Sequence, residues 1–96
     1  MEYGEGKMRR NPDFLLREVA GTIVVVPVGK ATTTFPGMIT MNPTGAFLWE
    51  KLETEQTVES LTAALLESYE VTEELARKDV EAFVQRLIPT GAILEQ

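Results

Sequence analysis

Asn42-Pro43 divides this chain into two parts of different character, and that division constrains the fold more than any other feature. Before it, short apolar runs rich in β-branched residues are separated by turns that contain Gly or Pro, a pattern typical of strands. After it, apolar residues recur every three or four positions, which is typical of amphipathic helices. Strands followed by helices predict an α+β domain whose helices cover one face of an antiparallel sheet.

The first part contains the predicted strands. Ala20-Gly21 is a turn signal because glycine adopts positive φ at little cost, so the first two strands should form a hairpin. Pro27 has no N–H to donate and should lie at an edge or near a strand end. The three predicted strands are Phe14–Val19, Thr22–Val28 and, after a loop over Gly29–Gly37, the short run Met38–Met41.

The second part begins with a helix-start signal. The Asn42 side chain can cap a helix, and Pro43 suits the first helical position. Trp49 lies beside two other apolar residues at helical spacing, so we expect it in the core. Three helices are predicted: Pro43 to about Leu52, Thr57-capped to about Tyr69, and Thr72-capped up to Pro89, followed by an extended segment at Ala92–Leu94.

The N-terminal residues are polar and contain Gly4 and Gly6. We interpret residues 1–10 as a flexible lead-in and residues 11–96 as the folded domain. Lys7, Arg9 and Arg10 form a small basic cluster in the lead-in, and a solvated tail is the simplest interpretation of it.

The composition excludes several chemistries. The chain of 96 residues has no cysteine and no histidine, so it lacks a thiol nucleophile, a thiolate metal site and the usual general base near neutral pH. No arrangement of carboxylates, Lys or Ser resembles a catalytic centre, and no EF-hand-like spacing is present. We therefore predict a protein that is not an enzyme and needs no cofactor or metal.

Charge is distributed unevenly along the chain. Residues 1–42 carry five Lys or Arg against four Asp or Glu, whereas residues 43–96 carry four against eleven. The acidic helical part should repel a phosphate backbone, so nucleic acid is not an expected partner. No run is long and apolar enough for a membrane span or a signal peptide, so we expect no membrane partner and a cytoplasmic location.

A set of residues spread over nearly the whole chain resembles the PqqD family. The resemblance covers residues 11–94. Its residues are Asn11-Pro12, Arg17, Gly21 and Pro27, then Gly37-Met38-Ile39-Thr40-Met41-Asn42, Gly45-Ala46-Phe47-Leu48-Trp49 and Leu52, and finally Tyr69, Asp79-Val80, Phe83, Leu87 and Gly91.

The resemblance implies a winged-helix-like fold with a three-stranded antiparallel sheet followed by three helices. It also implies a recognition element for ribosomally made, post-translationally modified peptides (RiPPs). Such a protein acts as a peptide chaperone. It binds the leader of a precursor peptide and presents it to a modifying enzyme, often a radical SAM enzyme, as in pyrroloquinoline quinone or related RiPP biosynthesis.

The resemblance places the leader as an added strand beside the third strand, in a groove shared with the third helix. Strand addition is physically reasonable, because an edge strand offers main-chain groups that a peptide can pair with. We expect Arg86 to pair with a leader carboxylate and Asp79 with a leader base, and a groove-facing Ile39 N–H would donate to the peptide. The expected peptide-binding residues are Met38, Ile39, Thr40, Met41, Asp79, Ala82, Phe83 and Arg86.

Two alternatives remain at the level of sequence. A winged-helix fold could bind DNA or serve as another protein-interaction module, although the third helix carries Glu73, Glu74, Asp79 and Glu81 and so suits a major groove poorly. An open strand edge could also pair with its own copy, which makes a homodimer possible.

Overall fold

The computed structural model describes residues 6–95 and contains five strands and four α-helices. The strands β2, β3 and β4 form an antiparallel sheet in that order, and β1 pairs with β5 in a second, two-stranded sheet. The predicted α+β order and the three-stranded antiparallel sheet are confirmed. The elements are β1 Met8–Arg10, β2 Phe14–Val19, β3 Thr22–Pro27, α1 Ala31–Thr34, β4 Ile39–Met41, α2 Pro43–Lys51, α3 Val58–Ser68, α4 Glu73–Leu87, a 3₁₀ turn Ile88–Thr90 and β5 Ile93–Glu95.

The β2–β3 hairpin closes through a two-residue turn, as predicted. Val19 pairs with Thr22, and the intervening Ala20 and Gly21 have φ values of 52° and 80°. Positive φ at both central positions is the signature of a type I′ turn, which matches the right-handed twist of the strands. Ala20 therefore occupies a conformation that a residue with a Cβ adopts only at a cost.

The link between β3 and β4 is more ordered than the sequence indicated. Residues Ala31–Thr34 of the predicted loop form a one-turn helix, and Thr32 and Thr33 donate hydroxyl hydrogen bonds back to main-chain carbonyls at 2.7 and 2.8 Å. The third strand begins one residue later than predicted, because Met38 precedes β4 and is 58% exposed.

The lead-in prediction differs from the structure at Met8–Arg10, which form β1 and pair antiparallel with β5. Met8 exchanges two main-chain hydrogen bonds of 2.8 Å with Gln56, and its side chain is buried in the core. A methionine within a polar segment gave no local signal of burial, since its partners lie far away in sequence. Residues 1–5 of the predicted lead-in lie outside the described residues.

The three long helices begin at the predicted caps. The side chains of Asn42, Thr57 and Thr72 each accept a hydrogen bond from a main-chain N–H in the first helical turn. The Asn42 cap matters for the site, because it fixes the start of α2 directly after β4. Within residues 6–95, no helix has both the length and the apolar character needed to span a membrane.

The core lies between the three-stranded sheet and helices α2 to α4. Trp49 is 1% exposed, which confirms its predicted core position. The Arg10 guanidinium lies 5.9 Å from the centre of the Trp49 ring and donates to the Trp49 carbonyl at 3.3 Å. The largest fully buried side chains are Trp49, Leu48, Leu52, Leu61, Leu87, Val25 and Val80.

Candidate functional site

The free edge of β4 presents the main-chain groups of Thr40. Beside the β2–β3 pair, the Val28 N–H donates to the Asp13 carbonyl at 2.7 Å. This bond shows which residue pairs of the hairpin are hydrogen-bonded, because such pairs alternate along the two strands. Because main-chain groups alternate in direction along a strand, the N–H and C=O groups of Ile23 and Val25 point toward β4. There they pair with Met41 and Ile39. Thr40 lies between those two pairs, so its N–H and C=O point away from the sheet.

Helix α4 supplies the wall opposite this edge. Asp79, Ala82, Phe83 and Arg86 lie at i, i+3, i+4 and i+7 and therefore share one face of the helix. The adjacent face carries the buried residues Ala76, Val80, Val84 and Leu87. One row of side chains of α4 thus packs in the core, and a second row, from Asp79 to Arg86, lies beside β4.

Between β4, the start of α2 and α4 lies a groove of about 230 Å³, here called the β4–α4 groove. Polar and apolar atoms line it in equal measure: Met41, Leu48, Ala82 and Phe83 provide an apolar floor, and Asp79 and Arg86 place opposite charges at its ends on α4. Nine residues line it: Met41, Asn42, Thr44, Gly45, Leu48, Asp79, Ala82, Phe83 and Arg86.

Five of the eight sequence-predicted site residues line this groove, namely Met41, Asp79, Ala82, Phe83 and Arg86. Thr40 joins them through a hydrogen bond of 2.8 Å from Arg86 Nη2 to its carbonyl oxygen.

The remaining two predicted residues are placed differently. The Ile39 side chain is buried, and alternation turns its main-chain N–H toward β3 and away from the groove. The hypothesis of a groove-facing Ile39 N–H is therefore wrong, and Thr40 takes that position. Met38 lies before β4 with an exposed side chain.

Four groove residues were missed by sequence reasoning: Asn42, Thr44, Gly45 and Leu48. A Cβ added at Gly45 would lie 3.1 Å from Met41 Sδ and 3.2 Å from Asn42 Oδ1, so glycine allows α2 to approach the end of β4 closely. A signal was available, because a helix whose cap directly follows an edge strand must place its first turn beside that edge.

A second concavity, of about 530 Å³, lies at the opposite edge of the sheet, beside β2. Arg9, Arg10 and Arg17 line it together with Glu50 and Glu53. The Arg17 guanidinium donates to the carbonyl of Leu16, its own neighbour, at 3.3 Å. Arg17 therefore offers a useful comparison with Arg86, because both arginines donate to a carbonyl on a free sheet edge.

The described residues contain no cluster of three or more His, Cys, Asp or Glu side chains that could hold a metal ion. The chemistry that the groove offers is recognition, through one outward-facing main-chain residue, an apolar floor and two charged ends.

These features define a small α+β protein with an open strand edge beside a helix-lined groove. The family model described as "Coenzyme PQQ synthesis protein D (PqqD)" matches residues 21–93, most of the chain. The chain belongs to the PqqD family.

A solved structure supports the fold. The chain described as "Lasso peptide synthetase B1 complexed with the leader peptide" is similar, with a TM-score of 0.69 and 22% sequence identity. The similarity covers 91% of this chain and 96% of that chain. No curated protein matches the chain by sequence.

Proposed function

We propose that this protein binds the leader of a ribosomally made precursor peptide as an added strand beside β4, in the β4–α4 groove. The observation that carries the proposal is the outward-facing main chain of Thr40 on a free edge, beside a groove with an apolar floor. Membership of the PqqD family supports it. The leader peptide in the structure of the similar lasso peptide synthetase B1 is also consistent with it.

Energetics assign most of the affinity to side chains. Thr40 can form two main-chain hydrogen bonds with a peptide, and each contributes about 0.5–1.5 kcal/mol net. Micromolar binding requires about 8 kcal/mol. Burial of a leucine-sized side chain contributes about 1.5–3 kcal/mol. The two main-chain bonds therefore contribute at most about 3 kcal/mol, so contacts of several peptide side chains in the groove must provide the rest.

We further propose that the protein has no catalytic activity or cofactor of its own and acts as a peptide chaperone for a cytoplasmic modifying enzyme. A radical SAM enzyme of pyrroloquinoline quinone or related RiPP biosynthesis is the partner that the family suggests. The absence of cysteine and histidine from the chain is consistent with this role.

Calorimetric titration with the leader of a precursor encoded beside the gene tests the proposal. Thr40→Pro removes the outward N–H and should weaken binding about tenfold, because a ladder bond is lost and the proline ring crowds the incoming strand. Proline is tolerated at such a position on an edge strand.

Glu18→Pro is the matched control. By the same alternation, the Glu18 N–H faces the free edge of β2, on the far side of the sheet. This variant should bind the leader as the unmodified protein does. Equal affinity of the folded Thr40→Pro and Glu18→Pro variants, or no binding of any neighbouring leader by the unmodified protein, would contradict the proposal.

A further inference from the structure

Arg86 already donates to the main-chain carbonyl that a strand added to β4 would use. Its Nη2 atom donates to the Thr40 carbonyl oxygen at 2.8 Å, across the groove from α4 to β4. A main-chain N–H in a sheet ladder lies about 2.9 Å from its acceptor. The guanidinium nitrogen therefore lies as close to this carbonyl oxygen as a peptide N–H would, and closer than the spacing of about 4.8 Å at which the next strand would run.

An added strand that brings its N–H to this carbonyl along the same direction displaces the guanidinium. The Thr40 carbonyl then keeps a hydrogen bond, because a peptide N–H replaces the arginine. The guanidinium, however, loses its acceptor and remains beside the peptide. A carboxylate is the acceptor that best satisfies a guanidinium, since charge-assisted pairs are shorter and stronger than neutral ones.

The position of that carboxylate on the peptide follows from strand geometry. Ile39 and Met41 turn their side chains to the core, whereas the Thr40 side chain is exposed. Side chains directly opposite each other in an antiparallel pair lie on the same face. The two peptide residues that flank the partner of Thr40 therefore point toward α4, about 6.8 Å apart.

The order of the two side chains follows from the direction of α4. Arg86 contacts Thr40, while a Cβ at Gly45 would lie 3.7 Å from the Phe83 ring. The chain thus runs from β4 into α2 in the direction opposite to α4. A peptide antiparallel to β4 meets Phe83 first and Arg86 second, and Asp79 disfavours an acidic side chain at the entry end.

We propose that Arg86 acts as an exchangeable cap on the β4 edge and selects peptides that bind antiparallel to β4 and carry an apolar residue followed, two positions later, by Asp or Glu. This inference rests on the proposed function and specifies its ligand. The apolar side chain covers Ala82 and Phe83, and the carboxylate takes the guanidinium released from Thr40.

Selection from a displayed library of random 12-residue peptides provides the test, with three proteins as targets: the unmodified chain, Arg86→Gln and Arg17→Gln. Arg17 is the matched control because it too caps a carbonyl on a free edge, but outside the groove. We expect the apolar-x-acidic pattern to be enriched on the unmodified chain and on Arg17→Gln. On Arg86→Gln the acidic preference should disappear while the apolar preference remains.

A synthetic copy of an enriched peptide gives the magnitude. Replacing its acidic residue by the matching amide should weaken binding about three- to fivefold to the unmodified chain and less than about 1.5-fold to Arg86→Gln. The difference should shrink at high salt, because the pair is exposed.

Three outcomes are distinguishable. Enriched peptides without the acidic residue, or with an acidic preference that survives in Arg86→Gln, would overturn the role of Arg86 and leave the proposed function intact. If the enriched peptides did not compete with one another for binding to the unmodified chain, they would not share one site, and the role of Arg86 would also be overturned. No enrichment on any of the three folded proteins would overturn the proposed function together with this inference.

Discussion

At the scale of single residues, the site depends on which residue of a three-residue strand faces outward. β4 consists of Ile39, Thr40 and Met41. A shift of one residue would turn the main-chain groups of Ile39 to the groove and expose its apolar side chain. Burial of the Ile39 and Met41 side chains in the core fixes which residues of β4 pair with β3. The main-chain groups that face the groove are therefore those of Thr40.

The hairpin turn is a residue-scale weakness that can be measured. Ala20 has a φ of 52°, and the left-handed region costs a residue with a Cβ about 1–2 kcal/mol. Asn-Gly is the preferred pair for a type I′ turn. We expect Ala20→Asn to raise the free energy of unfolding by about 0.5–1 kcal/mol, measured by urea denaturation.

Gly21 supplies the opposite control in the same turn. Its φ is 80°, and a Cβ there would meet no atom within 4 Å. Gly21→Ala should therefore lower the free energy of unfolding by about 1 kcal/mol through backbone strain alone. If both substitutions changed stability in the same direction, the I′ turn would be the wrong description.

At the scale of elements, β1 shows how distant pairing recruits a segment with no strand signal of its own. Three residues alone cannot form a stable strand. Here β1 pairs with β5 near the other end of the chain, and the Arg10 N–H donates to the Leu52 carbonyl at 3.0 Å. The N-terminal segment therefore ties both ends of the fold to the end of α2.

Methionine substitutions test this assignment with a control of the same chemistry. Met8 is 2% exposed and packs in the core, whereas Met38 is 58% exposed. We expect Met8→Ala to lower the free energy of unfolding by about 2–4 kcal/mol. Met38→Ala should change it by less than about 0.5 kcal/mol. Equal, small effects in chemical denaturation would show that β1 contributes little to the fold.

Helix α4 is the element on which stability and recognition meet. One stripe is buried in the core and the neighbouring stripe lines the groove, with Phe83 partly buried between them. Substitutions at Val80 or Val84 should therefore affect folding first. Asp79 and Arg86, the charged residues proposed to recognise the peptide, line the groove and can be changed without opening the core.

At the scale of the whole molecule, the sheet has two edges that no strand of residues 6–95 pairs with, and their surroundings differ. β4 lies beside the groove and its wall α4, while β2 lies at the far side of the sheet. A ligand bound at β4 leaves the β2 edge accessible. Under the proposed function, a peptide at β4 would thus leave the opposite surface available.

Amide hydrogen exchange followed by NMR distinguishes the two edges. Binding of a leader peptide at saturating concentration should slow exchange of the Thr40 amide at least about tenfold, because exchange then requires dissociation. The Glu18 amide, on the free edge of β2, should keep its rate within about twofold. Slowing at Glu18 and not at Thr40 would place the peptide at the opposite edge.

Much of the fold followed from local signals in the sequence. These signals depend on a few neighbouring residues and on the spacing of apolar residues. They predicted the caps at Asn42, Thr57 and Thr72, the Ala20-Gly21 turn and the core position of Trp49. The helix spacing also placed Asp79, Ala82, Phe83 and Arg86 on one face, which the structure brings beside β4.

Tertiary structure decided the rest. Four features depend on residues that are distant in sequence or on what such residues bury. They are the pairing of β1 with β5, the outward-facing main chain of Thr40, the contribution of Gly45 to the groove and the bond from Arg86 to Thr40. Local pattern determines which element forms, because capping and turn energies act within one turn of the chain. Which atoms face one another across the groove depends on the packing of the core, and that packing is a property of the whole chain.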